Sequence, residues 1–219
     1  MAVSLFGRSW DALRTAVAEV PDEDFGRPSG CAGWLVRDLA CHLVIDAQDV
    51  LITLVTPASG APTRDAVTYW KVVEPPTGED PLDALIVRLA AAYEEPGLLR
   101  FHLEDVGAAA GRAARLADLE GLVETQGEVL RAGDYLAAYV MEWTLHHLDL
   151  VAYLPDLKGP PAEGLARCRG MLEEIAGEAF PASMSDAEVL LVGTGRRSAS
   201  AEERVALGAL AERLPMALG

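Results

Sequence analysis

The chain has 219 residues, half of them apolar, and sets 34 acidic side chains against 18 basic ones for a net charge of −16. That length suits one large domain, or one domain with a small appendage, and the composition is that of a folded chain. So acidic a protein is not expected to track nucleic-acid phosphates or anionic lipid, both of which call for a basic face.

No eighteen-residue stretch is free of charge, so no spanning helix is expected. The opening MAVSLFGRSW lacks the basic end and apolar run of a secretory signal. Cys31, Cys41 and Cys168 cannot all pair and form no Cys-x-x-Cys, a pattern of reducing compartments; a cytoplasmic location is expected.

In chain order, Trp10, Leu13, Val17 and Val20 recur at helical spacing and predict a first helix over 9–20, closed by Pro21. The turn-rich PDEDFGRPSGCAG leads to a second helix over 34–55, ended by Pro57. Residues 56–80 read as a long exposed loop with a short element inside it. A third helical region over 80–95 takes Asp80 as N-cap and Pro81 at its first position; beyond Pro96 the pattern does not separate helix from loop. LVETQGEVLRAG reads as a short extended or hairpin piece. The fourth helix, over 134–154, is capped by Asp134 and stopped by Pro155. After the linker PDLKGPP come a helix over 163–180, a short apolar run over 188–197 and a last helix over 200–214. Four main helices with long connections predict a mainly α helical bundle over 1–157, with 158–219 as a small C-terminal α(+β) extension packed on it.

The fourth helix carries an anomaly. Glu142 and His146 are four residues apart and share one face, which Asp149 continues. The other positions are apolar almost all round, so the helix is expected to be buried. A buried carboxylate without a partner costs several kcal/mol. Two compensations fit: a hydrogen bond to His146, or a divalent ion with further ligands from a facing helix. The second helix offers His42, on a stripe with Leu35, Leu39 and Asp49, where a satisfied core histidine is the plainer reading. Cys41 lies on another face. His102 falls in the ambiguous segment after Pro96, and His147 is rotated away from His146 toward packing or solvent.

Spacing does not bring His42 to Glu142. GCAGWLVRDLACHL, however, resembles the second-helix signature of the mycothiol-dependent maleylpyruvate isomerase family, a branch of the DinB-like metal-binding four-helix bundles. DYLAAYVMEWTLHHLDL resembles that family's second signature, an acid followed four residues later by histidine and then Asp-Leu, and the tail LLVGTGRRSASAEERVALGALAERLP resembles actinobacterial members. The resemblance implies a DinB-like bundle with zinc ligands at His42, Glu142 and His146, and mycothiol as co-substrate. Three protein ligands with a vacant fourth position mark a catalytic rather than a structural zinc. Asp149 then orients a histidine or caps a neighbouring helix, while Trp34 and Asp38 are packing and capping residues.

The implied chemistry is attack of a metal-bound thiolate on a small electrophile, because a coordinated thiol is deprotonated outright. The outcome is isomerisation by reversible addition or stable thiol transfer, with no protein nucleophile. The founding isomerase has a larger C-terminal domain that helps bind a dicarboxylate; the shorter stretch here fits thiol transfer better than maleylpyruvate. Arg196 and Arg197 are candidates to bind an anionic substrate, against the commoner role of such a pair in surface charge pairing. GTGRR lacks the spacing of a phosphate loop. The alternative to an enzyme is a bundle that keeps its ligands but only binds or sequesters a metal or small molecule. The expected partners are a small electrophile and a low-molecular-weight thiol, with no nucleic acid and no membrane, and the expected assembly is a monomer or a homodimer.

Overall fold

A computed structural model describes residues 2–73 and 81–218. Asp80, the expected cap of the third helix, lies outside them. The protein is mainly helical. Helices α1 (Ala2–Glu19), α2 (Val36–Leu54), α4 (Pro96–Leu116) and α5 (Ala132–Val151) form the bundle, α1 lying along α5 and α2 along α4. The short α3 (Pro81–Ala91) packs on α2. Among the described residues no helix is long and apolar enough to cross a membrane.

Two bundle helices differ from the sequence reading. The first begins at Ala2 rather than 9, because Phe6, one turn before Trp10, extends the buried stripe. The fourth bundle member is α4, not the 80–95 region, which ends at Ala91. Pro96 opens α4 at its first turn, where the missing N–H costs no hydrogen bond. The run of glycine and alanine that obscures α4 in sequence is what lets it pack closely. Trp10 Nε1 donates to the Gly107 carbonyl at 2.9 Å, and a Cβ on Gly107 would stand 2.8 Å from the indole. Across the bundle Trp10 stacks on Trp143 at 4.1 Å between centroids, with Phe6 and Tyr139 edge-on to Trp143.

Strands β2 (Leu122–Thr125) and β3 (Glu128–Arg131) form the expected hairpin, turned by Gln126 and Gly127, both at positive φ. Because β3 runs straight into α5, that helix starts at Ala132 with Arg131 at the cap position. Asp134 is therefore not the cap. It sits inside the first turn, still favourably placed at the positive end of the helix dipole.

Beyond Pro155, α6 (Ala162–Ala176) packs on α5, and α7 (Asp186–Gly193) packs on both. The apolar run over 188–197 falls mostly in α7. Such a run reads equally as strand or helix; the reciprocal cap between Ser185 and Glu188 decides for helix. The last predicted helix is shorter, α8 (Ala201–Leu207) followed by a 3₁₀ turn over Gly208–Arg213. The β component of the extension is β4 (Ala217–Leu218), antiparallel to β1 (Val72–Val73) from the long loop.

Trp143 is fully buried at the centre of the aromatic cluster. Trp143→Ala is expected to lower unfolding free energy by about 3–5 kcal/mol, measured by denaturant unfolding.

Candidate metal centre

The loop before α2 is fastened at both ends. Asp38 Oδ2 accepts the Leu35 N–H at 2.8 Å and so caps α2. Gly30 N donates to the Asp149 carbonyl at 2.8 Å, near the end of α5. A Cβ on Gly30 would meet Asp149 Cα at 2.7 Å, so only glycine permits this approach. Trp34, carried by the same loop, lies against the His42 ring at 5.1 Å between centroids. The start of α2 is thereby drawn onto the second half of α5.

This contact brings the three expected residues together. His42 Nε2 and His146 Nε2 are 3.1 Å apart. Glu142 Oε1 lies 2.9 Å from His146 Nε2 and 3.6 Å from His42 Nε2. The sequence reading passes over a fourth group, Asp46, whose Oδ2 is 3.2 Å from His42 Nε2. All four donor atoms fall within 4.8 Å of one another. The signal for Asp46 is present in the sequence: His42-x-x-x-Asp46 has the same one-turn spacing as Glu142-x-x-x-His146. Asp49, the acid singled out on that stripe, is one turn further and only half buried.

Donors about 2.1 Å from a shared ion lie about 3.4 Å apart at a tetrahedral angle, and the separations here bracket that value. Two imidazoles and two carboxylates also suit a divalent transition metal. The residues fit the ion.

Behind His146 runs a second chain of contacts. Its Nδ1 is 3.1 Å from Asp149 Oδ2, and the Arg196 guanidinium grips Asp149 through Nε at 2.8 Å and Nη2 at 2.9 Å. Cys31 Sγ donates to the same Asp149 oxygen at 3.3 Å. Holding Nδ1 on a carboxylate aims Nε2 at the donor cluster. Arg196 is thus not one of a surface pair: its fork closes on a buried acid because the turn after α7 folds back over the end of α5. Arg197 points elsewhere, with both Nη atoms on Glu203 at 2.6 and 2.8 Å.

Without an ion, these charges perturb one another. Burial alone would raise the Glu142 carboxyl, but the His146 charge and hydrogen bond, with the His42 charge 3.6 Å away, hold it well below the usual range. Burial would lower His146; the Glu142 charge and the Asp149 hydrogen bond instead hold it well above its ordinary value. Asp46 is pushed up by burial against the pull of the His42 charge. At Asp149 the His146 hydrogen bond and the Arg196 charge overcome burial and bring the carboxyl to about 2.

Alongside lies a cavity of about 310 Å³, walled by Cys31, Trp34, His146 and Asp149 from the bundle side and by Arg196 and Ala217 from the C-terminal extension. The remaining histidines stand apart from the cluster. His102 bonds the Tyr93 hydroxyl, and buried His147 donates Nε2–H to the Lys158 carbonyl at 2.9 Å. Cys41 is buried and lines a separate cavity with Tyr93 and His102.

A helical bundle that joins histidine and carboxylate from two facing helices is the architecture of a metal-binding bundle protein. Residues 6–151 match the family model described as the mycothiol maleylpyruvate isomerase N-terminal domain. The chain belongs to that family, and with it to the mycothiol-related, DinB-like metal-binding proteins. No curated protein and no solved structure matches the chain closely enough to add to this.

The Asp149 carboxyl is held at about 2 in the folded chain against an ordinary 3.8, so its contribution to stability is complete above about pH 5 and is lost as pH falls through 2. In metal-stripped protein, Asp149→Asn is expected to flatten the fall of Tm between pH 4 and 2 relative to wild type, followed by circular dichroism.

Proposed function

We propose that this protein is a metal- and mycothiol-dependent enzyme of the transferase or isomerase type, acting on a small electrophile. One observation carries the reading: two imidazole Nε2 atoms and a Glu142 oxygen converge from facing helices, with the far nitrogen of His146 anchored on Asp149. His42, Glu142 and His146 would hold the ion, zinc by the nature of the donors. A bound divalent ion supplies Lewis acidity, which deprotonates a coordinated thiol near neutral pH.

The protein's own residues do the rest. His42 and Glu142 side chains keep about a fifth of their surface open, so a thiol reaches the cluster from solvent. Asp149 and Arg196 lock the His146 ring, and a fixed ring keeps the donors in register through the reaction. Arg196 and Asp149 face the same cavity as an ion pair, so its wall offers polar groups rather than a free positive charge. The cavity is small and partly built by the extension, which fits a compact electrophile such as an epoxide, enone or halide. A reducing, cytoplasmic setting agrees with the free Cys31, Cys41 and Cys168.

His42→Ala, Glu142→Ala and His146→Ala are each expected to lose most of the bound metal by elemental analysis, and wild-type protein to consume thiol and electrophile together over many turnovers. Full metal occupancy in all three variants contradicts the ligand assignment. A stoichiometric endpoint in wild type contradicts catalysis and leaves a binding protein.

A further inference from the structure

Asp46 is the group that the family reading leaves without a task. It is on α2, one turn after His42, and its side chain is more than nine-tenths buried. Its Oδ2 is enclosed, lies within ion-pair distance of His42 Nε2, and yet has no hydrogen-bond partner. Glu142 by contrast receives a hydrogen bond from His146, and Asp149 is held by His146 and Arg196. A buried carboxylate oxygen that accepts no hydrogen bond is costly, and such groups are retained where a charge arrives to compensate them.

We propose that Asp46 is a fourth protein donor to the metal, making the site a two-histidine, two-carboxylate set rather than the three-residue set implied by resemblance. This rests on the metal reading above and deepens it. Three facts point the same way. The Asp46 oxygen belongs to the same cluster of donor atoms as His42, Glu142 and His146, all within 4.8 Å of one another. Its distance to His42 Nε2, 3.2 Å, is close to that between the two imidazole nitrogens, 3.1 Å, as expected for neighbouring ligands of one ion. And charge balances before any thiol arrives: two neutral imidazoles with the Glu142 and Asp46 carboxylates cancel a divalent cation, whereas three protein donors would leave a net positive charge in a largely buried pocket, and the thiol then enters as a fifth donor. A hard second carboxylate also widens the range of ions beyond zinc toward those that accept more oxygen ligands.

The test uses cobalt(II) as the probe, titrated into metal-stripped wild type and Asp46→Asn, a near-isosteric change, with far-UV circular dichroism to establish that the variant is folded. Wild type is expected to bind one ion per chain; Asp46→Asn is expected to bind at least about tenfold more weakly and with shifted visible absorption bands. Thermal melts give a second readout. The gain in Tm on adding cobalt is expected to be smaller in Asp46→Asn than in wild type. Wild-type affinity and bands in Asp46→Asn overturn this assignment alone. So does weakened affinity with unmoved bands, since loss of a donor must change the spectrum. Wild type that takes up no ion overturns both this assignment and the metal reading beneath it.

Discussion

Two buried helix faces, each carrying an imidazole and a carboxylate one turn apart, are pressed against each other in this protein. His42 and Asp46 on α2 meet Glu142 and His146 on α5, so four polar groups share a space that apolar packing would otherwise fill. Leaving them there unpaired would cost a large part of a protein's usual margin of stability. Much of the surrounding structure serves to hold the two faces in register. The glycine contact at Gly30, the Asp38 cap and the Trp34 ring fix α2, and the stacked Trp10 and Trp143 fix α5 against α1.

The C-terminal extension takes part in the same arrangement. Arg196 reaches back from the turn after α7 to close on Asp149, which in turn orients His146. The sequence therefore runs bundle, extension and back to the bundle's most polar point. Part of the cavity wall comes from Ala217 on β4, whose antiparallel pairing with β1 ties the end of the chain to the long loop after α2. A change in the extension can thus act on the cluster without touching any of its four residues.

How much of this is legible in the sequence depends on the kind of signal. Periodic apolar residues mark α2 and α5, and the Glu142–His146 spacing marks the site, because helix geometry converts both into faces. Spacing is silent on which faces meet; His42 joins the cluster in the sequence reading only through resemblance. Asp46 has the right spacing but looks like one more acid in a chain with 34 of them. Arg196 is a case of a different kind: its pairing with Asp149 spans 47 residues and depends on the path of α6 and α7, which no local pattern encodes. The helix α4 is hidden for a chemical reason, since the glycine and alanine that weaken its local signal are the residues that let Trp10 lie against it.

Residues from two facing helices are proposed to hold one ion. Anomalous diffraction from crystals grown with zinc, collected on either side of the zinc absorption edge, tests this most directly. One strong peak per chain is expected within bonding distance of His42 Nε2, His146 Nε2 and a Glu142 oxygen. A peak elsewhere on the chain, or none at this cluster in zinc-replete crystals, would contradict that assignment.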